Sequence, residues 1–398
     1  MILDNRIVAS SDDIRKHLGE AAWQALANFD RDAKDWMTAT EYYESDCQHT
    51  NGDPVFRKSF RTLLSRIGNE SARRYLETLV HSDLATEPHK TNGTYGLQNY
   101  LMNDSAYMKL YSIVGGNERL PEELSRRIDA TVRLRQPVIR VEKSADSRLQ
   151  IVSRRAGQIF KDSFDFVIVA LPNNLIPRID WRGSRLSAAM KEHHQRYNFP
   201  AHYLRVTMLF ECPFWRDRLH DSYTMLDAFG GCCLYDESSR NGCDTFGVLG
   251  WLLGGKPALE LSRRSDEDLI ESMLSSLPSF LKHGARFYLE GRVHRWPFAV
   301  NGLPGGAPAL DLDTRHVPEP KEHPNLLVVG DYLFDSTLNG VLDSADFATD
   351  WLVAELEHAD FNNATDHRKE RKYRHRCQNG KTNRSTAEST QSTILSRC

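Results

Sequence analysis

The segment Asn325-Leu326-Leu327-Val328-Val329-Gly330-Asp331, continued by Ser336-Thr337-Leu338-Asn339-Gly340, decides how the rest of the chain is read. An apolar run of strand length stops at a Gly-Asp pair, as buried parallel strands do when their functional end is the carboxyl tip. After a short loop, Val341, Leu342, Ala345, Ala348, Trp351, Leu352 and Leu356 recur at helical spacing, while Asp343, Asp346, Asp350 and Glu355 fill the other face. Thr337 and Asn339 stand where side-chain oxygens cap free N–H groups, and Gly340 permits close approach. A strand, an acid-bearing loop and a helix amino end aimed at one spot form a cradle for an electron-rich group. A plain strand–helix unit packing a core has the same pattern, so spacing alone leaves both readings open.

Outward from this segment, the totals narrow the class. The chain has 398 residues and a formal net charge of −3, long enough for two domains or one large intertwined pair. Near-neutral charge gives no electrostatic footprint for nucleic acid over the body of the protein. No apolar run approaches the roughly 20 residues that span a bilayer. Residues 1–15 carry Asp4, Asp12 and Asp13 and lack the apolar segment of a signal peptide. The seven cysteines are scattered with no Cys-x-x-Cys, which predicts reduced thiols and a cytoplasmic protein. The adjacent pairs His193-His194 and Cys232-Cys233 lack zinc spacing, so no metal site is expected. Nor is there a Gly-x-Ser-x-Gly elbow for a hydrolase of that type.

Taken in order, residues 1–110 read as mainly helical. Ile14, Leu18, Ala21, Ala22, Ala25 and Leu26 stripe a helix over 13–29; Phe56, Phe60, Leu63, Leu64 and Ile67 stripe a second, and residues 72–80 a third. His81-Ser82-Asp83 places three polar neighbours at a helix end, where adjacent side chains do not face one another. An apolar run at 111–114 breaks at Gly115-Gly116 and leads into a helix over 118–128. Strands are predicted at 132–141, 149–153 and 166–171, the last apolar on both faces and so covered on both sides. A helix over 187–195, strands at 203–210 and 246–253, a helix over 266–283 and a strand at 286–293 follow. Trp296-Pro297-Phe298 and Asn301–Gly306 read as an aromatic, glycine-rich loop. Beyond Asp360, Arg368-Lys369, Arg371-Lys372, Arg374 and Arg376 precede a polar stretch, which predicts a disordered basic tail over 359–398.

The order of these pieces resembles the flavin-containing amine oxidases. Val114-Gly115-Gly116 with its helix, Arg135–Val141 and Phe166–Pro172 look like the middle of that family. Tyr203–Phe210 ending in Pro213-Phe214-Trp215 is similar to its strand before Pro-Phe-Trp, and the segment from Asn325 to its final flavin-binding strand and helix. The match runs in register over most of residues 105–356. It implies an α/β fold in which an incomplete FAD/NAD(P)-binding, Rossmann-like domain (111–180 and 320–358) interleaves with an α+β substrate domain (1–110 and 181–319). It also implies FAD as cofactor and a small-molecule substrate, amine-type or apolar, that gives a hydride from carbon to flavin N5. By motif match, Val138 presents its backbone to the adenine, and Gly330 and Asp331 lie at the pyrophosphate and ribityl chain. Thr337, Leu338 and Asn339 lie beneath the flavin pyrimidine, Trp296 walls the ring, and Arg205 takes the place of a lysine tied to oxygen reactivity.

Two departures from the family stand out. Its opening strand, Gly-x-Gly-x-x-Gly turn and helix hold the FAD pyrophosphate, and no segment here supplies them. The chain then reads as a fragment, as one half of a pair whose other chain supplies that unit, or as a protein that has lost flavin. Arginine at 205 keeps its charge and spreads its donors in a planar fork, which leaves room for an electron acceptor other than oxygen. A carotenoid- or protoporphyrinogen-type dehydrogenase of the same superfamily is the rival enzyme. A non-catalytic remnant or partner-binding subunit is the alternative from another class.

Overall fold

Local capping decides where the first helices start and stop. After a short hairpin, β1 (Ile2–Leu3) and β2 (Arg6–Ile7), the Ser10 hydroxyl caps the Asp13 N–H, and the Asp13 carboxylate reaches back to the Ser10 N–H, starting α1 (Ser11–Leu18). Gly19, at φ +89°, ends it and begins α2 (Glu20–Trp36). The single helix expected over 13–29 is therefore two, because a glycine in the left-handed region cannot continue α-helical bonding. Helices α3 (Ala39–Glu44), α4 (Phe60–Leu64), α5 (Glu70–Leu84) and α6 (Gly93–Leu101) complete an amino-terminal helical core around Phe29, Phe60, Leu63, Leu76 and Leu97. The computed structural model describes residues 1–44, 58–109, 111, 113–238, 245–303, 310–334 and 336–357. Phe56, Ser112, the second half of the glycine-rich loop (304–306) and the basic tail lie outside them.

An exposed helix, α7 (Arg119–Arg127), leads to the meander β3 (Val138–Lys143), β4 (Leu149–Arg155) and β5 (Gln158–Phe164). Then come β6 (Val167–Val169), β7 (Asp180–Trp181) and α8 (Ser184–Arg196). Strand β3 starts six residues later than the expected 132–141, after Pro137 and an Arg135 held at φ +56°. Strand β5 was not anticipated, since its exposed residues lack an apolar stripe.

The second half builds one large sheet from β8 (Pro200–Phe210), β9 (Tyr223–Leu226), β10 (Cys232–Asp236), β11 (Gly247–Gly254) and β12 (Tyr288–Asn301), in the order β12-β8-β11-β10-β9-β1-β2. Helices α9 (Gly255–Leu261) and α10 (Asp266–Ser276) lie between β11 and β12. The helix expected over 266–283 stops at Ser276 because Pro278 lacks an N–H and pushes Leu277 to an extended ψ of 136°. The aromatic loop at 296–298 is instead part of β12, which tolerates Pro297 because it is an edge strand and shifts register between Pro297 and Val300. Leu204, Val206, Met208 and Phe210 of β8, with Leu249, Trp251 and Leu253 of β11, point into one core beneath α9 and α10.

A short helix, α11 (Leu312–His316), then precedes β13 (Leu326–Val328), which pairs in parallel with β6: Leu326 with Val167, Leu327 with Ile168, Val328 with Val169. These residues share a third core with Val141, Leu149, Ile176, Trp181 and Leu186. The expectation that strand 166–171 is covered on both sides fails for Ile168, which is 43 % exposed. No third strand among the described residues joins this parallel pair. Residues 338–357 are helical (α12). Residues 1–345 form one compact unit; of the second, 346–398, only helical residues 346–357 are described.

Candidate functional site

Two features built from distant parts of the sequence carry the chemistry. The first is the crevice at the carboxyl ends of β6 and β13, the usual ligand position in open parallel sheets. Strand β6 runs out through Pro172-Asn173-Asn174, β13 through Gly330-Asp331-Tyr332, and a small cleft joins them to Phe298 and Asn301 of β12. The Oδ1 atoms of Asn173 and Asn174 are buried there without a hydrogen-bond partner, which is the state of acceptors that await a donor.

The loop after β13 is held rigid from three sides. Gly330 N–H donates to Ser344 Oγ (3.0 Å), and Ser344 Oγ lies 3.1 Å from His316 Nε2. His316 Nδ1 faces the Leu312 carbonyl at 2.8 Å, so Nδ1 carries the proton and Nε2 accepts from the serine hydroxyl. The fully buried Arg315 donates to the Leu333 carbonyl at 2.9 Å. Tyr332 Oη lies 3.1 Å from His193 Nε2, and burial pulls the His193 pKa down to about 3, keeping that ring neutral. A Cβ on Gly330 would stand 2.6 Å from Tyr332 Cε1, so only glycine fits.

At the helix start, Thr337 Oγ1 accepts from Gly340 N–H at 3.2 Å, as the sequence suggested. Thr337, Leu338 and Asn339 are exposed, Leu338 by 57 %, so the amino end of α12 is open rather than covered by side chains. Val138, at the start of β3, is 38 % exposed. Gly330, Asp331 and Thr337–Asn339 fit the isoalloxazine and ribityl end of a flavin nucleotide: an exposed helix amino end and an acid, with unsatisfied acceptors in the cleft that Asp331 lines. The glycine-rich turn that would meet the pyrophosphate is absent from the sequence.

The second feature is the face of the large sheet turned away from α9 and α10. Alternation along β8 puts Tyr203, Arg205 and Thr207 on it. Register adds Leu252 opposite Arg205, Cys233 opposite Leu252, Tyr235 opposite Tyr223, and His294 and Trp296 opposite Arg205 and Tyr203. Arg205 is ion-paired with Glu237 and its guanidinium lies 5.6 Å from the Tyr235 ring. Trp296 stacks on His294 at 5.6 Å and 10° and is 43 % exposed. Gly330, Asp331 and the start of α12 thus group at the crevice, Arg205 and Trp296 group on the sheet face, and Val138 stands on the separate meander.

The carboxyl end of α5 caps this sheet face. It comes close because Gly231 and Gly254 carry no Cβ, which would stand 2.5 Å from Thr78 O and 2.9 Å from His81 O. Tyr203 Oη donates to the Asp83 carbonyl at 3.0 Å. His81 faces two acceptors, the Gly231 carbonyl and the Glu87 carboxylate, both at 3.2 Å. Burial pulls the His81 pKa down, but Glu87 and the carbonyl outweigh it and the net shift is upward, while His81 holds Glu87 down at about 2. The Asp83 carboxylate has no hydrogen bond or ion pair with any described residue, and burial alone raises it to about 7. Its charge is felt by Tyr203, Tyr223, Tyr235 and Cys233, whose acid groups burial pushes up. Asp83 stood in the sequence with His81 and Ser82 at a helix end and was set aside because neighbouring side chains do not face one another; Tyr235 and Glu237 carried no signal in the sequence. Among the described residues no three His, Cys, Asp or Glu side chains are placed to hold a metal, and no helix is long and apolar enough to cross a membrane.

Comparison with known proteins agrees with this geometry. Among solved structures, the chain matches putrescine oxidase in complex with putrescine (TM-score 0.60, 16 % identity, 88 % of this chain and 78 % of that one). It matches cyclohexylamine oxidase from Brevibacterium oxydans (TM-score 0.60, 14 % identity, 89 % and 78 %). It also matches an Exiguobacterium protein assigned as a protoporphyrinogen oxidase (TM-score 0.58, 16 % identity, 87 % and 75 %). At these identities the likeness shows the fold alone: an α/β architecture with an FAD-binding, Rossmann-like part. No curated protein matched by sequence. Residues 6–350, however, match the sequence family described as flavin containing amine oxidoreductase. With an acid-tipped parallel strand, a capped helix behind it and a sheet face lined by aromatic and charged groups, the chain belongs to that flavin-containing amine oxidoreductase family.

Proposed function

We propose that the chain is an FAD-dependent oxidoreductase acting on a small amine-type substrate, and that the exposed flank of β6 at Ile168 is covered in the working protein by a nucleotide-binding unit, from the same or another polypeptide. The observation that carries this reading is the acid-tipped loop after β13, leading to the exposed amino turn of α12, with two orphaned amide oxygens in the cleft that Asp331 lines. When bound, the flavin accepts a hydride from a substrate carbon. Gly330, Asp331 and Thr337–Asn339 would hold its ring end, and Val138 its adenine by backbone contact. A helix amino end worth about half a positive charge stabilises negative charge on a reduced ring.

The remaining residues position substrate. Trp296 and His294 form an aromatic wall, and Arg205, fixed by Glu237, keeps a cation on the same face. A permanently charged arginine in place of a lysine supports an electron acceptor other than oxygen. The polar and phenolic lining supports an amine over a long apolar substrate of the carotenoid or porphyrinogen kind. In this reading residues 111–180 and 320–358 form the flavin part, and 1–110 and 181–319 the substrate part. Need for a covering unit is supported by Ile168, by Val114 at 96 % exposure and by the two-stranded parallel sheet, since such sheets are normally buried on both faces.

Mixing the purified full chain with excess FAD and removing free cofactor by gel filtration tests the reading. Co-eluting flavin absorbance is expected. If the protein peak stays colourless at every FAD concentration, this chain does not hold the cofactor by itself and the reading of it as an FAD enzyme on its own falls.

A further inference from the structure

Strand β12 carries a distortion just past Trp296. Pro297 pairs with His202 and Val300 with Ala201, so Phe298 and Ala299 bulge out between them, and Phe298 sits at φ +63°. That left-handed region is disfavoured for a bulky aromatic residue, and a residue kept there is held by its surroundings. Bulges re-aim side chains, often beside a site. Here Phe298 lines the cleft together with Asp331 and Tyr332. Downstream the strand is anchored, since Asn301 Nδ2 donates to the Tyr197 carbonyl and Ser336 Oγ to the Asn301 carbonyl.

The bulge itself is held by a side chain. Phe298 N–H donates to His202 Nδ1 at 3.0 Å, and the two rings meet edge to face at 5.0 Å and 87°. A backbone N–H only donates, so Nδ1 is the bare nitrogen and Nε2 carries the proton. The bond exists only while the imidazole is neutral, because a proton on Nδ1 sets two donors against each other. The surroundings favour the neutral ring. His202 is buried, and its own N–H donates to the Ala85 carbonyl at 2.9 Å. Burial, and after it the charge of Lys90 from the segment between α5 and α6, holds its pKa below the usual histidine value. Its β12 neighbours Pro297 and Phe298 carry no charge, and the Glu87 carboxylate is engaged by His81. Among the described residues no carboxylate pairs with the His202 ring to stabilise an imidazolium.

We propose that His202 is a positioning residue for the cleft: its neutral ring latches the Phe298 N–H and so holds the bulge that places Phe298 in the cleft with Asp331, and its protonation releases that edge. What the cleft serves rests on the oxidoreductase reading; the latch itself does not.

The experiment needs no cofactor. In the full chain labelled with [15N]phenylalanine, the Phe298 amide is the one of 17 signals that disappears in Phe298→Leu. Its exchange with solvent is followed from about pH 8 to about pH 4.5, across the histidine range, and divided by the free-peptide rate at each pH. Protection is expected to fall about 10-fold towards acid, the worth of one hydrogen bond. His202→Asn offers an amide oxygen that accepts the same N–H and takes no proton, so its protection is expected to stay high throughout. His202→Leu offers no acceptor and is expected to lack protection throughout, with circular dichroism reporting an unchanged fold; should it not fold, His202→Asn decides alone. Protection that ignores pH in the wild type, that still falls in His202→Asn, or that survives in a folded His202→Leu overturns the latch. Any of these results with co-eluting FAD removes this proposal alone; a titrating latch in a chain that never binds FAD removes the cofactor reading alone.

Discussion

Asp83 on α5 and Arg205 on β8 show how single side chains can pull stability in opposite directions. Asp83 has its acid raised from 3.8 to about 7 by burial. A folded-state value above the unfolded one means stability is full below about 4 and is lost as pH climbs towards 7. Asp83→Asn removes that loss, so we expect it to stabilise the chain by about 1–3 kcal/mol at pH 8 and hardly at all at pH 4, read from urea melts at the two pH values. An equal effect at both would mean that Asp83 is uncharged throughout or paired. Arg205 is the reverse case, since its partner Glu237 is mostly buried (17 % exposed). Arg205→Met removes that carboxylate's ion-pair partner, and a loss of about 1 kcal/mol is expected in the same measurement, well below the range for fully buried pairs because both groups keep some solvent. Arg205 was visible in the sequence as a departure from a family position; Glu237 was not, because only the β10–β11 pairing brings it there.

At the scale of elements, the loop between β13 and α12 is the most tightly specified piece of the crevice. Gly330 has an extended φ of 165°, so its glycine is required by space rather than by backbone angle. Gly330→Ala drives a methyl into the Tyr332 ring, which is pinned by His193 and buried. We expect a cost of about 1–3 kcal/mol from overpacking, together with loss of whatever flavin the wild type retains; a variant with unchanged melting and flavin content would show that the ring moves freely. The α5 end is organised by its own pair. Glu87, held at about 2, adds stability above its unfolded value near 4.5 that is lost as pH falls towards 2; His81, raised, adds stability below about 6.5 that is lost as pH rises past its folded value. His81→Gln is therefore expected to flatten the stability maximum between roughly pH 4.5 and 6.5, which a pH series of thermal melts would display. Helix ends, strand β8 and strand β13 were legible from periodicity and caps. The breaks at Gly19 and Pro278, and the inclusion of Pro297 in an edge strand, depended on backbone angles and sheet position that spacing does not encode.

For the whole molecule, three cores hold the chain, while in the parallel sheet of two strands β13 is buried and Ile168 of β6 stays exposed. If FAD binds only the folded chain, 100 times its dissociation constant should add about 2.7 kcal/mol to unfolding, measurable as a rise in melting temperature; no rise would contradict the co-elution expected above. The sequence by itself determined the α/β class, the acid-tipped strand followed by a capped helix, and the family likeness, because apolar period, capping and motif order are local and survive in a linear string. Only the tertiary structure decided that Asp83 meets Tyr203, 120 positions away, and that Arg205, Tyr235 and Trp296 share one face. Those neighbours are set by strand register, where a slip of one residue would turn Tyr203 and Arg205 into the core and bring Leu204 and Val206 out.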